Sequence, residues 1–571
     1  PLFDGMPSPF AATRYNSLIV KRPLNDDLME IARSDDGAIM GLKRRDRPQW
    51  GIQFHPESIL TEHGRQLAEN FRDITSGRIG QRRSTTSKKS SFSPAPKREE
   101  ISIRYRKIGI GQTAVDMFLA LARRSKACAW LDSADRNHEN SRWSYFAAVD
   151  FPGNSFLKYS THVQRVEEIS NDASTPRHTS VLDYLARTSG VEIIGSAPPC
   201  PFAGGHIGWI GYEMRNECGA PTDRRAVTPD ALFLRANSFL AFDHAAGDLF
   251  AAGVSPAISK ASFMAWVNVL ETEFSGAAEE NNNLNDWVKS TDAKFQLRDE
   301  KAVYEQKIER CLELIRDGET YQVCLTNEIS CQSDIDHVDL YECVRRENPA
   351  PFSALVRWEG NAVISASPER FLSIGQHQKI SAKPIKGTIR RSNNKDEDAA
   401  LAQRLSNSSK DRAENVMIVD LLRNDLSKVC KTGTINVSKL CEIESFATVH
   451  QLVSTIEGDL RSDVSIADIV RATFPGGSMT GAPKLRTMQH IDALEDRARG
   501  VYSGALGWIG YDGRADLSIV IRTIVAMGEN LSIGAGGGIV GDSIPSAEFA
   551  EMTLKARALK RAIADHQSSN D

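Results

Sequence analysis

Four carboxylates in the C-terminal half of the chain stand at a spacing that chemistry can use. In "DRAENVMIVDLLRNDL", Asp411 and Glu414 are three apart and share one helix face, with Val416, Met417, Val419, Leu421 and Leu422 following as the buried side. In "SAEFAEMTLKARALKRAI", Glu548 and Glu551 repeat that spacing and Lys555 lies one turn further on. Two such helices facing each other across a cleft offer hard oxygen donors with open water positions, which suits Mg²⁺ rather than zinc. Solvated surface acids have the same spacing, with Glu551 and Lys555 a plain i,i+4 pair. On spacing alone that blander reading carries more weight.

Lys386, in "SAKPIKGTIRR", raises a different question. It follows a Pro-Ile step, precedes a Gly-Thr turn, and has no carboxylate nearby in sequence. Either it is an edge-strand surface lysine or its amine is held for chemistry. Two glycine-rich loops suggest anion binding. "FPGGSMTGAPKLRTMQHI" runs into a helix with Pro483 at its first position, and such an N-terminus presents free N–H groups. It is no phosphate loop of the Walker type, because Ala482 stands where lysine is required. "LSIGAGGGIVGDS" follows a strand pattern but has Ile539 at the third glycine position, which excludes the dinucleotide fingerprint. In "QFHPES", His55 and Glu57 are two apart, a histidine and an orienting carboxylate without a cysteine in residues 1–76 to activate.

The elements that must position these groups follow from patterning. "GAIMGLKRR" and "WGIQFHPES" read as strands and "HGRQLAENFRDIT" as a helix, so residues 1–76 form a compact unit. Residues 77–102, rich in Ser, Lys, Arg and Pro, bury too little to offset chain entropy and read as a basic flexible linker. Residues 103–571 alternate strand-like and helix-like segments in one large domain. "LFLRANSFLAFDH" is strand-like, and Tyr304, Ile308, Cys311, Leu312 and Ile315 recur at helical spacing before Gly318 and the strand of "TYQVCLTNEI". "SGAAEENNNLNDW" is a surface loop, and no internal repeat is present.

The bulk composition narrows the classes. A chain of 571 residues holds several domains, with 41% hydrophobic and 25% charged residues as in ordinary globular proteins. A formal net charge of −4 argues against a nucleic-acid partner. Nine scattered cysteines without a CxxC pair suggest neither zinc nor a disulfide framework, and point to a reducing, cytoplasmic setting. No apolar run of ~18 residues marks a membrane span, and "PLFDGMPSPF" is not a signal peptide.

Ordered blocks of sequence resemble two known families in tandem. "RYNSL" and "WGIQFHPESILTEHG" resemble the C-terminal part of class I glutamine amidotransferases, in which His and Glu complete a Cys–His–Glu triad. Residues 103 to 565 resemble the chorismate-utilising enzymes through "YQVCLT", "SASPERF", "PIKGT", "AENVMIVDLLRNDL", "GGSMTGAPK", "YSGALGWIGYDG", "IRTI", "GAGGGIV" and "AEFAEMTLKA". The lysine of "PIKGT" and the "AEN" of Ala413–Asn415 resemble the aminodeoxychorismate-forming branch, since the anthranilate branch typically has alanine and "AEH" there.

The resemblance implies an α/β (α+β) fold: a large two-sheet β-sandwich flanked by helices, preceded by a partial class I amidotransferase α/β segment. It implies amination of chorismate at C4, toward p-aminobenzoate and folate. Lys386 would attack C2 as a desolvated, partly neutral amine in an apolar setting. Glu369, otherwise a strand-end salt bridge with Arg370, would be the general acid–base. Glu414 and Glu551 would bind Mg²⁺, with Asp411 and Glu548 contributing through water. Arg522, Lys555 and the amides of Gly536, Gly537 and Gly538 would meet the substrate carboxylates, while Gln322, Ser478, Tyr502 and His450 line the pocket, His450 with a catalytic role. His55 and Glu57 would be the glutaminase remnant.

The amidotransferase pattern is incomplete: its cysteine precedes the segment seen here, and Asn16 replaces a common histidine. The expectation is use of free ammonia, without glutaminase activity, glutamine-derived ammonia needing a separate or missing portion. "AWLDSA", Ala129 to Ala134, resembles the region where related synthases bind tryptophan as an effector, or is a plain core strand. Two rival readings are an anthranilate synthase component and a non-catalytic chorismate-binding scaffold.

Overall fold

The computed structural model describes residues 2–14, 19–75, 100–135, 141–170, 173–195, 198–276, 294–446 and 449–567. Asn16, most of the expected 77–102 linker and most of the polar loop after Ser275 lie outside them. Residues 100–102, expected in that linker, already belong to the strand Glu100–Ile108, because Glu100–Ser102 pairs in parallel with Glu192–Ile194.

The N-terminal unit is a three-stranded antiparallel sheet, Leu28–Arg33, Ile39–Arg44 and Trp50–Ile52, with the helix Gly64–Thr75. The last two strands and the helix were expected from the patterning and the strand Leu28–Arg33 was not; together they close over a small core of Leu2, Met40, Phe54 and Leu67.

From Glu100 onward two large sheets, one of 13 strands and one of 12, face each other. Trp209, Phe202, Phe239, Trp358 and Trp508 fill the space between them. The outer face of the 13-stranded sheet is covered by apolar residues of the helices Ala114–Arg124, Lys301–Arg316, His337–Glu347 and Pro545–Gln567. The other sheet is covered by Val181–Thr188, Ser409–Ser427 and Ile466–Thr473. Both sheets are almost wholly antiparallel, so each strand presents one face to the inter-sheet core and one to a helix.

The strand Ile385–Arg390 ends the path of the 12-stranded sheet, pairing with Val449–Asp459. Gln322–Gln332 and Asn530–Ile539 lie side by side near one end of the other sheet. The glycines of "GAGGG" are therefore inside a strand rather than in a loop after it. Lys484–Glu495 is the expected helix, with Pro483 one position ahead of its first residue.

Candidate active site

Three elements bring the sequence-predicted groups together. Ile385–Arg390 supplies Lys386, Ser409–Ser427 supplies Asp411 and Glu414, and Pro545–Gln567 supplies Glu548, Glu551 and Lys555. Lys386 Nζ lies 3.7 Å from Glu414 Oε2, with only 13% of either side chain exposed. The lysine is thus buried but not in apolar company, a correction to the sequence expectation. Its carboxylate partner comes from 28 residues further along the chain, which local sequence cannot reveal. Gly387 has φ of 79°, and a Cβ there would stand 2.8 Å from Asp411 Cγ. Only glycine lets the lysine strand cross the helix this closely.

The two acidic helices do face each other. Lys410 Nζ, at the start of one, is 3.5 Å from Glu548 Oε1 on the other, and Ser543 Oγ donates to the same oxygen at 2.7 Å. Lys555 Nζ pairs with Glu551 Oε1 at 2.8 Å and donates to Gly536 O at 2.9 Å. Lys410 was missed by the sequence reading, although its position four before Glu414 is a helical-neighbour signal. Burial raises the Glu414 carboxyl above its ordinary value, against the pull of Lys386 and Lys410 and with Asp411 and Glu548 adding to it. Burial also works against ionising Glu551, but Lys555, backed by Lys410 and Lys386, outweighs it and holds that carboxyl low.

Glu369 is the most perturbed acid of the site. It is 7% exposed, and burial pushes its carboxyl up to about 7. Lys386, a hydrogen bond from Ser478, the Ile385 N–H and Lys555 all pull the other way. Glu369 has no salt bridge with Arg370, which instead grips Asp516 through two 2.9 Å bonds. A carboxyl poised near neutrality beside an ammonium is a group that can both give and take a proton at physiological pH.

Gln322 is 1% exposed, and among the described residues neither its amide nitrogen nor its oxygen has a hydrogen-bond partner. A Cβ on Gly538 would collide with that amide and come within 3.3 Å of Lys386 Nζ. The glycine thus leaves room for an unsatisfied amide to face the lysine. An unpaired buried amide is costly unless a ligand completes it. Gly536, Gly537 and Gly538 pair with Thr326, Leu325 and Cys324, while the strand on their other side, Thr523–Met527, pairs only as far as Ile533. One backbone edge of the glycines is therefore uncovered by a strand. Arg522 stands in the left-handed region (φ 53°), donates to Lys555 O at 2.7 Å, and has buried Tyr502 as an electrostatic neighbour.

His450 is the outlier. It pairs with Ile389, three positions along the strand from Lys386. Its Nδ1 meets Ser445 Oγ at 2.8 Å and its Nε2 meets Asp398 Oδ1 at 3.0 Å. Both ring nitrogens are engaged with the Lys395–Ser406 helix and its own hairpin. The next residue, Gln451, bonds Thr388 Oγ1 at 3.4 Å and keeps a buried amide oxygen unpartnered. Strand alternation puts it on the face opposite His450, a candidate the sequence reading did not single out.

His55 and Glu57 lie elsewhere. His55 Nδ1 is 2.9 Å from Glu57 Oε1, a carboxylate 70% exposed. The His55 ring stands edge-on to Tyr321 at 6.0 Å. The following residues dock on the acidic helix: Ser58 Oγ and the Ile59 N–H donate to Asp420 at 2.5 and 2.9 Å, and Arg423 donates to Glu57 O at 2.7 Å.

Among the described residues no three carboxylate, imidazole or thiol side chains converge as a ready-made metal site. The donor set still has the right chemistry for Mg²⁺: carboxylate oxygens on two facing helices, Glu414 13% and Glu551 49% exposed, with lysine side chains beside both.

Residues 127–561 match the chorismate binding enzyme family, and residues 1–74 match the class-I glutamine amidotransferases. The aminodeoxychorismate synthase of Streptomyces pristinaespiralis is 39% identical over 587 residues, covering 98% of this chain and 80% of that protein. The aminodeoxychorismate synthase of Streptomyces griseus is 38% identical, covering 98% and 79%. Among solved structures, anthranilate synthase component I from Streptococcus pneumoniae TIGR4 superimposes with a TM-score of 0.64 at 30% identity, covering 73% of this chain and 92% of that one. No described helix is long and apolar enough to cross a membrane.

Proposed function

The chain belongs to the chorismate binding enzymes and, within them, to the aminodeoxychorismate synthase family, and on that premise we propose that it replaces the C4 hydroxyl of chorismate with an amino group through a covalent adduct on Lys386. The observation that carries this reading is the meeting of a buried Glu369, raised to about 7, with Lys386 beside the unpartnered Gln322 amide.

In the proposed sequence the neutral amine of Lys386 forms a C–N bond at C2 while the ring double bonds shift and the C4–O bond breaks. Glu369 gives its proton to the departing oxygen, which leaves as water. Ammonia then bonds to C4, the double bonds shift back, and the C2–N bond to Lys386 breaks. Glu369 takes the surplus proton from the new ammonium, so the sum is chorismate plus ammonia to 4-amino-4-deoxychorismate plus water. Glu414, 3.7 Å away, is the carboxylate that the Lys386 amine faces before the substrate binds. Arg522, Lys555 and the uncovered amides of Gly536–Gly538 hold the substrate carboxylates, and Ser478 and Gln322 orient Glu369 and the ring. Glu414 and Glu551 would hold Mg²⁺, with Asp411 and Glu548 contributing through water, and the bound ion would neutralise charge on the ring carboxylate. His450 acts only at a distance, by fixing the Lys395–Ser406 helix through Asp398.

The same reading divides the chain at about residues 76 and 102 and assigns His55 and Glu57 to a glutaminase side that supplies ammonia in these enzymes. It also makes a cavity of about 110 Å³ the candidate effector pocket for tryptophan, lined by Ser133, Tyr145, Phe352 and Trp508 and by Asp516, the partner of Arg370. Calorimetric titration with tryptophan tests that assignment.

The decisive experiment incubates the purified chain with chorismate, Mg²⁺ and ammonium and resolves products by mass spectrometry. Aminodeoxychorismate supports the proposal. Anthranilate with pyruvate would favour the second reading, an anthranilate synthase component, and no chorismate consumption would favour the scaffold.

A further inference from the structure

Behind the candidate site, and touching none of its proposed ligands, lies a buried ion pair to which no role has been assigned. Arg499 is 5% exposed and uses all five guanidinium N–H groups. Nε and Nη2 donate to Glu495 at 2.9 and 2.7 Å, Nη2 donates to Cys324 O at 2.8 Å, and Nη1 donates to Met479 O at 2.7 Å and Ser503 Oγ at 3.3 Å. Its face stacks on Tyr212 at 4.4 Å. Glu495 in turn accepts from both the N–H and the hydroxyl of Thr326 at 2.8 Å.

The segments tied by this one side chain are informative. Met479 follows Ser478, whose hydroxyl pulls down the proton affinity of Glu369. Ser503 follows Tyr502 and stands in the left-handed region, φ 68°. Cys324 is two residues after Gln322 on the same strand. Three pocket residues from three separate elements thus take their positions from one guanidinium. A buried ion pair contributes little net stability against apolar replacements, whereas a rigid planar fork fixes several acceptors relative to one another. Arg522 and Lys555, which bear the positive charge toward the substrate, receive no bond from it.

We propose that Arg499, paired with Glu495, is a positioning residue for the chorismate site, setting Ser478, Tyr502 and Gln322 against Glu369 and Lys386. This rests on the reading of the site given above. Held by the fork, Ser478 presents its hydroxyl to Glu369 for proton delivery.

The test uses the full chain with chorismate, ammonium and Mg²⁺. Arg499→Lys keeps the charge beside Glu495 but loses the fork. It is expected to keep its melting temperature within a few degrees, lower kcat about tenfold or more, and leave KM for chorismate within about threefold, because only the reacting geometry is disturbed. Ser478→Ala is expected to lower kcat similarly, and the combined variant to fall little further than either alone, as expected for residues acting through one another. A folded Arg499→Lys with wild-type kcat, or a loss fully multiplicative with that of Ser478→Ala, overturns the proposal. If Arg499→Lys does not fold, the paired Glu495→Met with Arg499→Met removes both charges and is read the same way; failure of both to fold would mark the pair as structural and also overturn it. Wild-type kcat in Ser478→Ala alone counts instead against proton delivery through Ser478 and Glu369. Arg499 is then judged by the kcat-against-KM split of its own variant.

Discussion

Lys386 and His55 are each flanked by a carboxylate, Glu414 at 3.7 Å and Glu57 at 2.9 Å, yet the two settings differ in every other respect. Lys386 and Glu414 are each 13% exposed and come from different elements, held from behind by a glycine crossing and two packed helices. His55 and Glu57 are two residues apart on one loop, and the carboxylate is 70% exposed. In the first region burial shifts proton affinities: Glu369 and Glu414 rise, and Glu551 falls under Lys555. Short distance between a base and an acid is thus a poor guide to reactivity. What distinguishes the lysine site is the removal of water around several mutually opposed charges.

The strongest way to break this comparison is to remove the lysine. Lys386→Ala is expected to lower ammonium-dependent product formation by roughly a thousandfold or more, the scale on which losing a covalent nucleophile acts. Melting should change little, because the ion pair the amine makes is a long one, 3.7 Å to Glu414. Intact-mass measurement after quenching should find a substrate adduct in the unaltered chain and none in the variant. Normal turnover in Lys386→Ala would reduce Lys386 to a charge partner of Glu414.

Next in size is Glu369→Gln, expected to cost on the order of a hundredfold in kcat, as for loss of a general acid. The pH dependence sharpens it. The proposed acid must be protonated to act and its carboxyl is raised to about 7, so activity should be retained below that pH and lost as pH rises through it. That alkaline limb should vanish in Glu369→Gln. Asp411→Asn is expected to act less on kcat than on the Mg²⁺ requirement, raising the half-saturating concentration about 10–100-fold as for residues behind the ligands. An unchanged Mg²⁺ titration would remove Asp411 from the proposed metal site.

How much of this was readable in advance follows from where each contact partner lies in the chain. The pairs Asp411–Glu414 and Glu548–Glu551 were visible because helical periodicity is local, and the ordered blocks carried the two-sheet architecture. Three things were not visible. Glu414 beside Lys386 depends on one helix crossing the end of a sheet, and the Arg370–Asp516 pair depends on strand pairing between segments 146 positions apart. His450 shows the third: within one strand, alternation decides which of two neighbours meets the pocket, and the structure gives His450 to Asp398 and Ser445 while Gln451 points the other way. A one-residue choice of face is below what a short block match resolves. The glycines of residues 534–538 were misread as a loop for a related reason, since their freedom from side chains serves Gln322 across the sheet and not a turn.

The smallest expected effect is at the other region. His55→Ala should leave ammonium-dependent turnover within about twofold, and exposed pairs such as His55–Glu57 are worth at most about 1 kcal/mol. This prediction carries more than its size suggests, because the two regions touch. The His55 ring stands against Tyr321, the residue before Gln322, and Ser58 and Ile59 grip Asp420 on the helix that carries Glu414. If those contacts only dock the segment, losing one ring should be silent with ammonium, measured as product formed per unit time at saturating chorismate. A tenfold fall at unchanged melting temperature would mean that Tyr321 passes the position of His55 to Gln322. The exposed pair would then belong to the buried site, and the contrast between the two regions would be one of surface only.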